Sequence, residues 1–183
     1  VAVNGYDMTW YGDGVPQYST VHPTVVSGQS TQSNASSTGI TLGIDNYETG
    51  TLALELQLQD NGLGLAFAGK RTLVVPLALD REAKEILGSD LTPENSNNAI
   101  NVYKGGSDLV VSKFLDSALG GSNTAWFLNY NGDAKLYQEV RQAKELNTDV
   151  DILSKTATFT IDARWANYSK EWKATWASKG DLA

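Results

Sequence analysis

The sequence contains no cysteine and a single histidine, His22. Without cysteine it can form no disulfide framework, no thiolate nucleophile, no iron–sulfur cluster and no cysteine-ligated zinc site. With one imidazole a multi-histidine metal centre is excluded, and a Ser-His-Asp triad would have to include His22. Because His22 lies beside Pro23 in a polar stretch, we expect a solvated loop or strand residue. We therefore expect no metal, no cofactor and no enzymatic activity.

Basic residues are also few, with 14 Lys and Arg against 21 Asp and Glu, which gives a formal net charge of −7. The basic residues are scattered, whereas phosphate binding needs clustered Lys and Arg. No apolar run reaches the roughly 20 residues of a membrane span. We expect no nucleic-acid partner and no membrane span. The length of 183 residues favours a single domain over residues 1–183.

Alternation of apolar and polar residues is the dominant pattern and predicts strands with one buried face. It is clearest over residues 51–58, where four leucines share one face. It recurs over 156–165, where Phe159, Ile161 and Trp165 are expected to face the core. A third alternating stretch covers residues 168–176. Together these runs predict an all-β fold, an antiparallel sandwich with one or two short helices.

Turn residues and propensity place further elements. Asn61-Gly62 and Asn131-Gly132 predict tight hairpin turns, because such turns need positive φ. A strand is predicted over 71–79, at an edge or with a bulge because Pro76 interrupts it. The best helix candidate is 80–87. Residues 137–146 are ambiguous, since their propensity favours a helix and the preceding Asn-Gly turn favours a strand.

Carboxylates are the only side chains that could support catalysis. Paired acids hydrolyse glycosides when they lie roughly 5–10 Å apart across a cleft, and the local pairs are Asp149 with Asp151 and Asp45 with Glu48. Solvated loop acids are the commoner explanation of such pairs. An acid-catalysed glycosidase is therefore the weakest of the functions considered.

Aromatic residues offer a second possibility, a carbohydrate-binding domain of a tip adhesin or a secreted enzyme. Exposed aromatic rings can stack on sugars, and Trp10, Tyr11 and Tyr18 lie beside a Gly- and Asp-rich turn. The alternative is that a large aromatic side chain such as Trp10 fills the core. Replacing Trp10 or Tyr11 would abolish glycan binding if the first interpretation holds.

The C-terminal region, residues 168–183, is the most distinctive part of the sequence. It carries Trp172, Ala174 and Trp176 on one face of an alternating stretch. One interpretation is an ordinary last strand of the same domain. The other is a donor strand that completes a neighbouring subunit by β-augmentation, with alternate side chains filling pockets.

The second interpretation is supported by a resemblance. ATFTIDARW, residues 157–165, resembles the closing strand of the common pilus major pilin, a chaperone–usher fimbrial subunit. KATWASK, residues 173–179, is similar to the N-terminal extension of that pilin. The order differs, because the donor strand leads the chain in that family and ends it here. The resemblance covers about a quarter of the chain.

This resemblance implies an immunoglobulin-like sandwich that is completed by a donor strand. It implies a structural subunit of a cell-surface pilus that contributes to assembly and adhesion. Its partners would be other pilus subunits, a periplasmic chaperone and usher, and a host glycan or protein receptor. Trp172, Ala174 and Trp176 would then fill the groove left by the missing strand, and the protein would be extracellular.

Overall fold

The computed structural model of the chain describes residues 13–24, 31–92, 99–134, 136–169 and 171–180. The chain divides into two compact units, one of residues 1–135 with 169–183 and the other of residues 136–168. None of the helices in the described ranges is both long and apolar enough to cross a membrane.

Eight strands, two α-helices and three short 3-10 helices form the regular structure of the described residues; the 3-10 helices are Leu77–Leu79, Lys113–Leu115 and Ser117–Leu119. The strands are β1 (His22–Pro23), β2 (Thr31–Gln32), β3 (Arg71–Val75), β4 (Ser107–Val111), β5 (Trp126–Tyr130), β6 (Leu136–Val150), β7 (Ala157–Ser169) and β8 (Thr175–Ser178). The helices are α1 (Ile44–Glu55) and α2 (Asp80–Gly88).

The first unit is built on a four-stranded mixed sheet in the order β4-β3-β5-β8. Strands β3 and β4 are parallel, whereas β3 with β5 and β5 with β8 are antiparallel. The prediction that the strand after Arg71 lies at an edge was wrong, because β3 has a neighbour on both sides. Pro76 follows the last residue of this strand, so its missing N–H removes no hydrogen bond from the ladder.

Both helices pack on one face of this sheet. Their buried side chains meet Leu73, Val75 and Trp126 in the main hydrophobic core. The opposite face carries Phe127, which alternates with its neighbours on β5 and belongs to a second, smaller cluster. The predicted helix over 80–87 is confirmed, since α2 buries Ala83, Ile86 and Leu87 as helical spacing requires.

Helix α1 replaces the strand that was predicted over residues 51–58. Its buried residues are Tyr47, Gly50, Thr51 and Leu54, which follow the i, i+3, i+4, i+7 spacing of one helix face. Leu52 and Leu56, expected beside Leu54 on a buried strand face, are exposed. The alternation of leucines was therefore misleading, because the helical set that begins at Tyr47 determines which side is buried.

Both Asn-Gly pairs form turns, but only one of the turns connects two segments that pair with each other through their backbones. Asn61-Gly62 lies within a turn that brings Leu58 and Gly64 together in an antiparallel bridge. Asn131-Gly132 follows β5, yet β5 and β6 belong to different sheets. The predicted hairpin at Asn131 was wrong because local turn chemistry does not specify which strand each flanking segment pairs with.

The β-rich class predicted from the sequence is confirmed. An immunoglobulin-like sandwich is not found among the described residues, because two helices, rather than a second sheet, cover the main core face. The prediction of one domain over residues 1–183 stays a prediction.

Candidate assembly surface

The second unit is a long two-stranded hairpin. Strands β6 and β7 have 15 and 13 residues and pair only with each other among the described strands. The connection, residues 151–156, is too short for a parallel crossover, so the pair is antiparallel. The segment 137–146, whose sequence left helix and strand open, lies within β6 and is a strand.

The apolar side chains of the two strands share one face of the hairpin. The N–H of Asp151 donates to the carbonyl of Thr156 at 3.0 Å, which places even-numbered residues of β6 opposite odd-numbered residues of β7. The rings of Tyr137 and Tyr168 stack 5.5 Å apart near the other end, which agrees with this register. Because side chains alternate along a strand, one face carries Val140, Leu146, Val150, Phe159, Ile161 and Trp165.

This apolar face is exposed. Phe159 and Ile161 are 67% and 71% accessible, and Trp165 is 55% accessible. The predicted strand over 156–165 is confirmed by β7, but the prediction that its apolar residues face the core of the chain was wrong. Alternation shows that one face of the strand is apolar. It does not show which surface covers that face.

The tip of the hairpin presents two more apolar side chains, Ile152 and Leu153, at 88% and 96% accessibility. Asp151 orders this turn by accepting hydrogen bonds from the Ser154 hydroxyl at 2.6 Å and the Leu153 N–H at 2.9 Å. The same two hydrogen bonds, with the Ser154 contribution the larger, lower the pKa of Asp151. The tip is thus an ordered turn that holds apolar side chains in water.

The opposite face of the hairpin is polar, with Glu139, Arg141, Thr158, Thr160 and Asp162 among its residues. The hairpin is therefore amphipathic, and a two-stranded hairpin by itself is at best marginally stable in water. A contiguous exposed apolar surface is typical of a protein–protein interface. We call the residues Val140, Leu146, Val150, Phe159, Ile161 and Trp165, with the tip residues Ile152 and Leu153, the apolar hairpin face.

The sequence indicates part of the apolar hairpin face but not all of it. Phe159, Ile161 and Trp165 were recognised as one face of a strand, but were assigned to the interior. Val140, Leu146 and Val150 recur only irregularly among charged residues, so alternation on β6 is weak. The one available signal was Ile152-Leu153, an apolar pair at a position where turns are normally polar.

The C-terminal residues predicted to act as a donor strand are buried in their own chain. Trp172, Ala174 and Trp176 are all buried, and β8 pairs with β5 of the same chain. The ring of Trp176 lies 4.9 Å from that of Trp126 in the main core. Strand β8 is thus part of the sheet of its own chain, whereas Trp172 and Ala174 precede it in a bend and a turn, so the alternating stretch 168–176 is not one continuous strand. Donation of these three residues to another subunit stays a prediction without support from this packing.

The aromatic residues proposed for sugar binding are described only in part. Trp10 and Tyr11 lie outside the described residues. Tyr18 is partly buried, with its ring 5.2 Å from that of Phe127. Burial raises the pKa of Tyr18 above its usual range, although a hydrogen bond with Thr175 lowers it in part. Tyr18 thus packs against β5.

The two acidic pairs singled out in the sequence lie on different elements of the structure. Asp149 and Asp151 lie on the exposed hairpin, and Asp45 lies in the first turn of α1. In the part of the chain that the structure describes, no group of three or more His, Asp or Glu side chains could hold a metal ion.

His22 is fully buried, which contradicts the expectation of a solvated histidine. Its ring stacks on the ring of Trp172 at 3.9 Å, with an angle of 6° between the planes. The buried environment of His22 is formed by the pairing of β1 with β2 and by residues 171–176, which are distant in sequence. No local pattern around His22 could therefore predict its burial.

The exposed apolar hairpin face is typical of a protein that assembles with other copies or partners. Comparison with known families agrees with this class, since residues 18–175 match the model of a phage capsid protein family. The chain belongs to this phage capsid protein family. No curated protein sequence matches the chain.

Two solved structures are similar to the chain. The first, the capsid of an empty GTA particle, has 11% sequence identity and a TM-score of 0.46, and the match covers 93% of this chain and 58% of that one. The second, a virus-like particle from Pyrococcus furiosus, has 20% identity and a TM-score of 0.36, and covers 76% and 56%. The chain therefore spans less than two thirds of either protein.

Family membership corrects the functional predictions. The resemblance to a chaperone–usher fimbrial subunit was wrong, and with it the pilus function, the adhesive role, the chaperone and usher partners and the cell-surface location. The alternative of a carbohydrate-binding domain was wrong for the same reason. Capsid proteins are structural proteins, which agrees with the expectation of a non-enzymatic role.

Proposed function

We propose that this chain is a shell-forming subunit of a phage-like or GTA-like particle, with an HK97-like capsid fold and no catalytic role. Its partners are other capsid subunits. The family match over residues 18–175 supports the class of function. The observation that carries the proposal is the apolar hairpin face, which is exposed in the single chain.

The apolar hairpin face supplies the adhesive surface in this proposal. Burial of apolar area contributes about 25 cal/mol per Å², so six large side chains and an apolar tip favour association strongly. Because the face lies on one side only, the partner surface covers the apolar side while the charged side remains in water. Backbone pairing within the hairpin keeps these side chains in register.

The test is assembly of the full chain. We expect the purified protein to form particles that are visible by electron microscopy and that sediment far faster than a 19.7 kDa monomer. The double variant Phe159→Asp with Ile161→Asp places two charges on the apolar hairpin face. It should remain unassembled, with the circular dichroism spectrum of the wild type.

The matched control is Thr158→Asp with Thr160→Asp, which adds the same charges to the same strand on its polar face. This variant should assemble like the wild type. If the variant with aspartate at positions 159 and 161 assembled like the wild type, the apolar hairpin face would not be an interface. Equal loss of assembly in both variants would attribute the effect to added charge rather than to this face.

A further inference from the structure

Strand β7 has an outer edge that no other described strand covers. Strands β6 and β7 pair only with each other among the described strands, so each has one edge whose backbone N–H and C=O groups face away from the hairpin. On β7 this edge is 13 residues long, and residues 157–162 are all exposed. Long unpaired strand edges tend to pair with another strand, and a two-stranded hairpin is stabilised by further strands.

Alternate residues of β7 present their backbone to this outer edge. The N–H of Asp151 donates to the carbonyl of Thr156, so the even-numbered residues of β7 hydrogen-bond to β6. The odd-numbered residues therefore direct their N–H and C=O groups outwards. Ala163 is one of these residues, and it is the middle residue of the 13 in Ala157–Ser169.

The sequence of β7 is self-complementary about Ala163. In an antiparallel pair of two β7 strands centred on this residue, Asp162 of each copy lies opposite Arg164 of the other. Ile161 of each copy lies opposite Trp165 of the other, on the apolar side of the strands. A two-fold axis requires such reciprocal contacts, in which residue i meets residue j and j meets i.

The register that joins these opposite charges is also the register with the greatest overlap. Centring on Ala163 pairs all 13 residues of one strand with all 13 of the other. Centring on Asp162 or on Arg164 would place like charges directly opposite each other, which is destabilising. Within the described part of the chain, neither Asp162 nor Arg164 forms a salt bridge, so a partner can pair with both.

The outer edge of β6 is less suited to a second copy. This strand carries three acids, Glu139, Glu145 and Asp149, against two bases, Arg141 and Lys144. Two β6 edges would therefore bring net negative charge together, whereas β7 carries one acid and one base. The charge balance thus favours pairing through β7.

We propose that β7 of one copy pairs edge to edge with β7 of a second copy around a two-fold axis at Ala163. The two hairpins then form a four-stranded antiparallel sheet. This contact rests on the proposed function and specifies the edge and the register through which two shell subunits meet. It uses the backbone edge of the hairpin rather than the apolar hairpin face, so a different surface covers that face.

Three single-cysteine variants of the full chain test the pairing, since the wild type contains no cysteine. Two copies of Ala163→Cys have their Cα atoms about 5.5 Å apart in this register, which a disulfide can bridge. Ala157→Cys is the matched control on the same face of the same strand, but its two copies lie about 40 Å apart across the axis. Ala143→Cys, at the middle of β6, tests the other edge.

After mild oxidation with diamide under assembly conditions, we expect disulfide-linked dimers from Ala163→Cys and none from the other two variants. Failure of Ala163→Cys to cross-link, equal cross-linking of Ala157→Cys, or preferential cross-linking of Ala143→Cys would overturn the proposal. Electron microscopy of the same samples tests the proposed function separately. Particles without the Ala163→Cys dimer would reject the pairing and leave the shell function intact, whereas this dimer without particles would do the reverse.

Charge reversal provides a second measurement. Asp162→Arg places arginine opposite Arg164 of the partner at both symmetry-related positions, whereas Asp162→Arg with Arg164→Asp restores opposite charges in exchanged order. In the Ala163→Cys background, we expect the single reversal to slow cross-linking by about tenfold, because two attractive pairs become repulsive. The double reversal should recover the rate. Equal rates in all three proteins, or no recovery in the double reversal, would contradict this register; if a reversed variant does not fold, Ala163→Cys alone decides.

Discussion

Gly50 shows how a single atom can matter at the residue scale. It lies within α1, where glycine normally weakens a helix relative to alanine. A Cβ atom at this position would lie 2.8 Å from Cζ3 of Trp176 and 3.0 Å from Cη2 of Trp126. The two tryptophans therefore pack against bare backbone, and the glycine permits close approach of α1 to β5 and β8.

Gly50→Ala is expected to destabilise the chain by about 1 to 3 kcal/mol, because overpacking outweighs the gain in helix propensity. Gly88→Ala is the matched control, since Gly88 ends α2 and a Cβ there meets nothing within 4 Å. The control should be neutral or stabilising by up to about 1 kcal/mol. Chemical denaturation measures the change in the free energy of unfolding for both variants. Equal changes would show that the two tryptophan rings shift to accommodate the added methyl group at little cost.

At the scale of elements, α1 is the instructive case. Leucines at positions 52, 54, 56 and 58 alternate as in a strand, yet the buried set Tyr47, Gly50, Thr51 and Leu54 has helical spacing. Residues 51–58 taken alone show only the alternation of leucine with other residues. The helical pattern begins at Tyr47, in the first turn of α1, so residues 51–58 alone do not contain it.

The two interpretations of this segment differ in a measurable way. On a strand, Leu52 and Leu54 would lie on the same face and contribute equally to the free energy of unfolding. On α1, Leu54 is 0% exposed and Leu52 is 54% exposed. We expect Leu54→Ala to cost about 2 to 5 kcal/mol. Leu52→Ala should change the free energy of unfolding by less than about 0.5 kcal/mol. Similar losses from both substitutions would contradict the helix.

At the scale of the whole molecule, the hairpin carries an apolar face that its own chain leaves exposed, whereas the first unit has a core of its own. Trp165 belongs to this face and is 55% exposed, while Trp126, Trp172 and Trp176 are buried. Assembly through the hairpin would therefore change the environment of Trp165 far more than that of these three tryptophans.

Tryptophan fluorescence reports this change. When unassembled chains associate, we expect a blue shift of the emission and weaker quenching by iodide, because Trp165 leaves water. Trp165→Phe keeps an aromatic side chain on the apolar hairpin face and should assemble without that spectral change. A full blue shift in this variant would place the newly buried tryptophan elsewhere and argue against the hairpin as the interface.

The sequence by itself determined the β-rich class, helix α2, strand β7 and the absence of cysteine chemistry, because composition and local periodicity act within a few residues. It also marked Trp172, Ala174 and Trp176 as side chains that must be covered. Only the tertiary structure decided what covers them. Other segments of the same chain bury these three, whereas Phe159, Ile161 and Trp165 remain exposed. Periodicity indicates that one face of an element is apolar. Which surface covers that face depends on contacts between segments that are far apart in the chain or in separate chains.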